Sequence, residues 1–131
     1  MDRAEMHYTV KSTKAFDDAV KAVEERCVAN GFRVQHIHDV QATLRSKGLE
    51  MEPLKIIEVC DAPHAHAVLS KDILISLMMP CKINVYSRNG ETYISGLRPT
   101  MLAQFFPEAN LQEVAQEVDA IVRRVIDEAA A

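Results

Sequence analysis

The stretch VYSRNGETYI, residues 85–94, decides the fold. Asn89-Gly90 is a two-residue type I′ turn, because both positions need a positive φ and the turn's twist matches that of the antiparallel strands it joins. The turn fixes the register, pairing Arg88 with Glu91, Tyr86 with Tyr93 and Val85 with Ile94. Side chains alternate along a strand, so Ile83, Val85 and Ile94 share one face, while Lys82, Asn84, Tyr86, Tyr93 and Ser95 share the other. Two residues further back, Cys81 falls in line with Ile83 and Val85 as a core candidate. Pro80 can open a strand but sits poorly inside one, so the ladder is expected to start at Cys81.

Outward from the hairpin, Leu54 to Cys60 is β-branched and apolar on both faces, as an interior strand requires. His7 to Lys11 and Phe32 to Val40 read as two further strands, and Gln41 to Lys47 as a short helical turn ended by Gly48. A helix carries Phe16, Val20, Val23 and Cys27 on one face, with Ser12 as its expected cap and Asn30-Gly31 as its stop. A second helix, Ala62 to Ser70, follows Asp61 as cap, with Pro63 tolerated in its first turn. The chain closes on an amphipathic helix whose apolar stripe runs Leu111, Val114, Ala115, Val118, Ile121, Val122, Val125, Ile126 and Ala129. Together these elements predict a two-layer α+β fold, an antiparallel β-sheet with helices packed on one face.

The 131 residues, 48% hydrophobic and 26% charged, suit a single domain over 1–131 with one core. A net charge of -4, with basic residues scattered among acids, argues against nucleic acid, whose phosphates call for clustered Lys and Arg. Aromatic residues are only 5%, without Trp, so base-stacking platforms are lacking too. No apolar run approaches the ~20 residues of a membrane span, and the first residues do not resemble a signal peptide. A cytoplasmic protein is expected. Three cysteines without CxxC spacing fit free thiols in a reducing compartment. P-loop, GxGxxG, GxSxG and HExxH motifs are absent, so no enzyme activity can be assigned and no cofactor is expected.

Three blocks carry a resemblance: DVQATLRSK at 39–47, VCDAPHAHAVL at 59–69 and MMPCKINVY at 78–86, with LRPTML at 97–102 after the hairpin. The chain resembles the prokaryotic family called domain of unknown function 302. That resemblance implies a compact α+β domain, often a homodimer, in a family without a settled activity. The family's middle block usually reads Cys-Asn-Pro and its later block Leu-Pro-Cys, which implies that Cys60 and Cys81 occupy the motif cysteines. Cys27 matches no motif. The chain departs from the pattern at Asp61 and Ala62, where Asn-Pro is usual, and at His64, where an apolar residue is usual.

The leading chemical candidates are therefore the thiols of Cys60 and Cys81, in redox or sulfur handling. Cys60 ends a strand just before a helix whose free N–H groups favour negative charge, with His64 about a turn away. If the strand starting at Cys81 runs antiparallel to it, the two thiols share a sheet edge and can form a disulfide or pass sulfur. The competing reading is two small buried hydrophobes, since free Cys is among the most buried residue types.

The alternative class is a non-catalytic module that binds a small ligand or metal. Its candidate ligand-binding residues are His64, Lys82, Asn84, Tyr86 and Tyr93, on the polar hairpin face or the His/Cys edge. No closed metal site is expected: His64 and His66 point apart on a helix, and His36 and His38 supply two ligands where a structural site needs four. Met78, Met79 and Met101 read as adaptable padding rather than as copper(I) ligands.

Overall fold

The computed structural model describes residues 2–131. Its elements are α1 (Arg3–Met6), β1 (His7–Ser12), α2 (Phe16–Ala29), β2 (Arg33–Asp39), α3 (Val40–Arg45), β3 (Leu54–Cys60) and α4 (Ala62–Leu69). A 3₁₀ segment (Ile73–Met78) then leads to β4 (Cys81–Arg88), β5 (Glu91–Leu97), α5 (Thr100–Phe105), a 3₁₀ turn (Pro107–Ala109) and α6 (Gln112–Ala130). The five strands form one sheet in the order β1-β5-β4-β3-β2, and every neighbouring pair is antiparallel. This is the expected α+β sheet.

The hairpin has the register the turn dictates: Arg88 faces Glu91, Tyr86 faces Tyr93 and Val85 faces Ile94. Asn89 and Gly90 take φ of 54° and 79°, as a type I′ turn demands. β3 lies between β2 and β4, so its apolar character on both faces follows from an interior place.

The main core forms where α2 and α6 cover one face of the sheet. Ala19, Val20, Val23 and Cys27 of α2 meet Ile57, Val59, Ile83, Val85 and Ile94 of the sheet and the Val118, Val122, Val125 and Ile126 stripe of α6. Gly96 lets α6 approach closely, for a Cβ there would stand 3.0 Å from Ile126 Cδ1 and 3.0 Å from Val122 Cγ1. Asp119, buried on the same helix, accepts two hydrogen bonds from the Arg98 guanidinium at 3.1 and 3.0 Å and ties α6 to the end of β5. A smaller cluster of Val68, Ile75 and Leu111, with Leu69, Met79, Leu102 and Phe106 around it, sits under α4 and the 3₁₀ segment.

Two expected caps are corrected. Ser12 does not cap α2, whose N-cap is Ala15 without a side-chain bond. The Ser12 hydroxyl accepts from Lys14 N–H at 3.1 Å and donates to the Ala130 carbonyl at 3.0 Å, a buried tertiary bond that outweighs the local one. Asp61 stands at the N-cap of α4, yet its carboxylate makes no capping bond and is drawn to His64 instead. The 3₁₀ segment and α5 lacked an apolar period long enough to announce them.

Candidate functional site: a dithiol cavity

Cys60 is the last residue of β3 and Cys81 the first of β4. The β3–β4 register pairs Val59 with Cys81, so Cys60 lies one residue beyond the partner of Cys81 along β3. A directly opposed antiparallel pair is about 5 Å apart and one residue adds about 3.3 Å along the strand, which puts the two Cα atoms roughly 6 Å apart. Neighbouring positions alternate faces within a regular ladder, so the two thiols meet because both residues stand at strand ends, where they line the same cavity. Both thiols are free and half-buried. They line one cavity of about 50 Å³, whose other walls are mostly apolar, including Val59, Met78, Met79, Leu111 and Val118.

The chain between the two cysteines, residues 61–80, builds one side of the cavity through α4 and the end of the 3₁₀ segment; α5 and α6 supply the facing side. Two polar tethers hold the sides together. His64 of α4 donates from Nδ1 to Asp61 Oδ2 at 2.7 Å and from Nε2 to Glu117 Oε2 of α6 at 3.0 Å. Lys71 Nζ donates to the Asn110 carbonyl at 2.7 Å. A carboxylate only accepts, so this arrangement uses both ring nitrogens as donors and selects the imidazolium. Burial pulls the His64 pKa down, but the bonds to Asp61 and Glu117 and their charges outweigh it and leave the pKa raised.

Burial pushes the Cys81 thiol up to about 11, with the neighbouring Cys60 raising it further and Lys82 opposing. A negative charge on Cys81, in an apolar cavity and beside a second thiol, is disfavoured, so Cys81 keeps its proton. Cys27 is different. It is fully buried in the main core, where desolvation and Glu24 push its thiol up to about 12. Cys27 is a small core hydrophobe.

The structure divides the residues that the sequence grouped as a ligand-binding set. His64 belongs to the dithiol cavity. Lys82, Asn84, Tyr86 and Tyr93 lie on the sheet face turned away from the helices, with Tyr86 and Tyr93 stacked at 5.7 Å between ring centroids. On that face Ser95 Oγ bonds Tyr86 OH at 2.9 Å and Thr9 Oγ1 at 2.7 Å. Asn84 Oδ1 is buried there without a hydrogen-bond partner among the described residues. His36 and His38 meet edge to face at 4.3 Å, and His38 Nε2 lies 3.1 Å from Glu58 Oε1. Among the described residues, no three His, Cys, Asp or Glu side chains are grouped to hold a metal ion. Met78 and Met79 line the cavity, and Met101 is buried.

Sequence reasoning missed Asp61 and Glu117 as the partners of His64. The Asp61–His64 spacing of three residues on one helix face was a usable signal. Glu117 lies 53 residues from His64 and had none. No helix among the described residues is long and apolar enough to cross a membrane.

Comparison with known proteins gives a family without an activity. The family model "Domain of unknown function DUF302" matches residues 8–129. The crystal structure of an uncharacterized conserved DUF302 protein from Bacillus stearothermophilus is similar over 95% of this chain and 98% of that chain, with 32% identity and a TM-score of 0.89. No curated protein matches the chain.

Proposed function

We propose that this chain, which belongs to the DUF302 family, carries out thiol-based redox or sulfur handling, with Cys60 as the reacting thiol and Cys81 as its protonated partner. The observation that carries the reading is the shared cavity at the end of β3 and the start of β4, which both cysteines line. Cys60 is half-buried just before the first turn of α4, whose leading N–H groups lack intrahelical partners and favour a negative charge nearby. Cys81 holds a proton beside it and can share it with a thiolate or a leaving sulfur. The test is the alkylation rate of each cysteine at neutral pH, followed by mass spectrometry of the peptides. Cys60 is expected to react several-fold faster than free cysteine while Cys27 stays unmodified in the folded protein. Alkylation of Cys60 and Cys81 no faster than free cysteine refutes the proposal.

A second reading, a binding module on the open sheet face, is favoured by the buried and unpartnered Asn84 Oδ1, since such an acceptor costs about 1–3 kcal/mol until a donor reaches it. In this reading a donor-bearing small molecule, or a second copy of the chain in a cytoplasmic homodimer, supplies that hydrogen. Light scattering and a thermal-shift screen test it together: wild type is expected to be dimeric or ligand-stabilised, and Asn84→Leu to lose that behaviour. A monomer insensitive to every compound, with Asn84→Leu indistinguishable from it, excludes the module.

A further inference from the structure

We propose that the cavity between Cys60 and Cys81 receives a single sulfane sulfur atom, carried as a persulfide on Cys60 with the Cys81 thiol donating a hydrogen bond to it. This rests on the thiol reading above and narrows its substrate to low-molecular-weight persulfides and polysulfides.

Size comes first. The free volume of about 50 Å³ exceeds the ~10–15 Å³ that one water needs on the same measure and falls well below the ~150 Å³ that accepts benzene. One added sulfur fits in that space. The peptide part of a glutathione mixed disulfide would lie outside it, without the apolar walls around the added sulfur.

The lining agrees with the size. Apart from the thiols, Asp61 and His64, the walls are apolar, and two of them are the polarizable thioether side chains of Met78 and Met79. Such a surface suits a polarizable sulfur atom better than it suits water. The His64–Glu117 and Lys71–Asn110 bonds hold the α4 side against the α6 side and keep these walls in place.

The third consideration is the proton on Cys81. A cysteine that resolves a mixed disulfide must attack as a thiolate, and burial beside Cys60 works against that form. A thiol that keeps its proton is instead a donor for the outer sulfur of a neighbouring persulfide. In the loading step the Cys60 thiolate attacks the outer sulfur of a donor R–S–SH. The donor S–S bond breaks, the Cys60 Sγ–S bond forms, and R–S⁻ leaves with the electron pair. Charge and atoms balance, with Cys60–S–SH and R–S⁻ as products. Delivery is the reverse reaction toward an acceptor thiolate, so no external oxidant is consumed.

The test treats the reduced full-length protein with inorganic polysulfide and, separately, with glutathione disulfide, then reads intact mass and cyanide-releasable sulfur. Wild type is expected to gain one sulfur atom on Cys60, and only traces of glutathione adduct. Cys60→Ser is expected to gain none. Ala65→Leu fills the cavity from α4 and leaves both thiols in place; with its circular dichroism unchanged, its sulfur loading is expected to fall several-fold. Equal loading of Ala65→Leu and wild type overturns the proposal. So does a glutathione adduct, or a Cys60–Cys81 disulfide, in place of the added sulfur. Fast alkylation of Cys60 without any sulfur gain removes this inference and leaves the thiol reading standing, whereas a Cys60 inert to both reagents removes both.

Discussion

The molecule holds cysteines in two kinds of surroundings. Around Cys27 the core is deep: α2, α6 and three strands of the sheet contribute fully buried side chains, and the thiol packs among them. Around Cys60 and Cys81 the packing is looser, although Cys81 itself rests against the edge of the main core. The α4 region rests on a cluster of three buried residues, leaves a void beside the thiols, and is tethered to α6 by charged groups near the surface. The first region meets the requirement for stability, dense packing without free space. The second leaves a cavity beside two sulfur atoms above a small buried cluster, and few buried apolar contacts make local opening easier there.

The largest expected effect separates the two by mutation. Ile57 and Ile75 are both fully buried, one in the main core and one under α4. Ile57→Ala is expected to cost about 4 kcal/mol in urea unfolding, near the upper end for such a truncation, because the surrounding sheet and helices cannot collapse into the hole. Ile75→Ala is expected to cost about 2 kcal/mol, since the small cluster relaxes around it, and to raise the alkylation rate of Cys81 by local opening. Equal costs, with Cys81 still protected, would abolish the distinction between the regions.

A smaller effect sharpens it through pH. The folded-state pKa of His64 is raised above its unfolded value of about 6.5. The imidazolium bridge therefore contributes stability that is fully present below about pH 6.5 and is lost as pH rises through the raised value. Above it, a neutral ring has one N–H and cannot serve both Asp61 and Glu117. Glu117 is more than half exposed, so the contribution is held to about 0.5 kcal/mol by solvent screening. The stability difference between wild type and His64→Gln, followed by urea unfolding from pH 5.5 to 9, is expected to shrink as pH rises. A difference that grows with pH would show that the bridge is not an ion pair of this kind.

Much of the fold was legible in the sequence. Asn89-Gly90 specified the hairpin, its register and its two faces, and the α6 stripe named the residues that meet the sheet, because turns and periodic burial are local properties. Ser12 and Asp61 read wrongly as caps for the opposite reason: each has a stronger partner elsewhere, the Ala130 carbonyl and the His64 imidazolium. The candidate site was half legible. Strand-end placement put Cys60 and Cys81 at one edge, while Glu117, Met79 and Leu111 joined them only through packing.

By itself the amino-acid order determined which residues pair across the hairpin, which helical faces are buried and which cysteines stand at strand ends, since each follows from φ, ψ and side-chain period over a few residues. The tertiary structure alone decided that Cys60 and Cys81 face a common void, that His64 bridges two carboxylates and that Cys81 holds its proton. Those outcomes depend on how α4 and α6 come together over the sheet, and on the low dielectric they create between them.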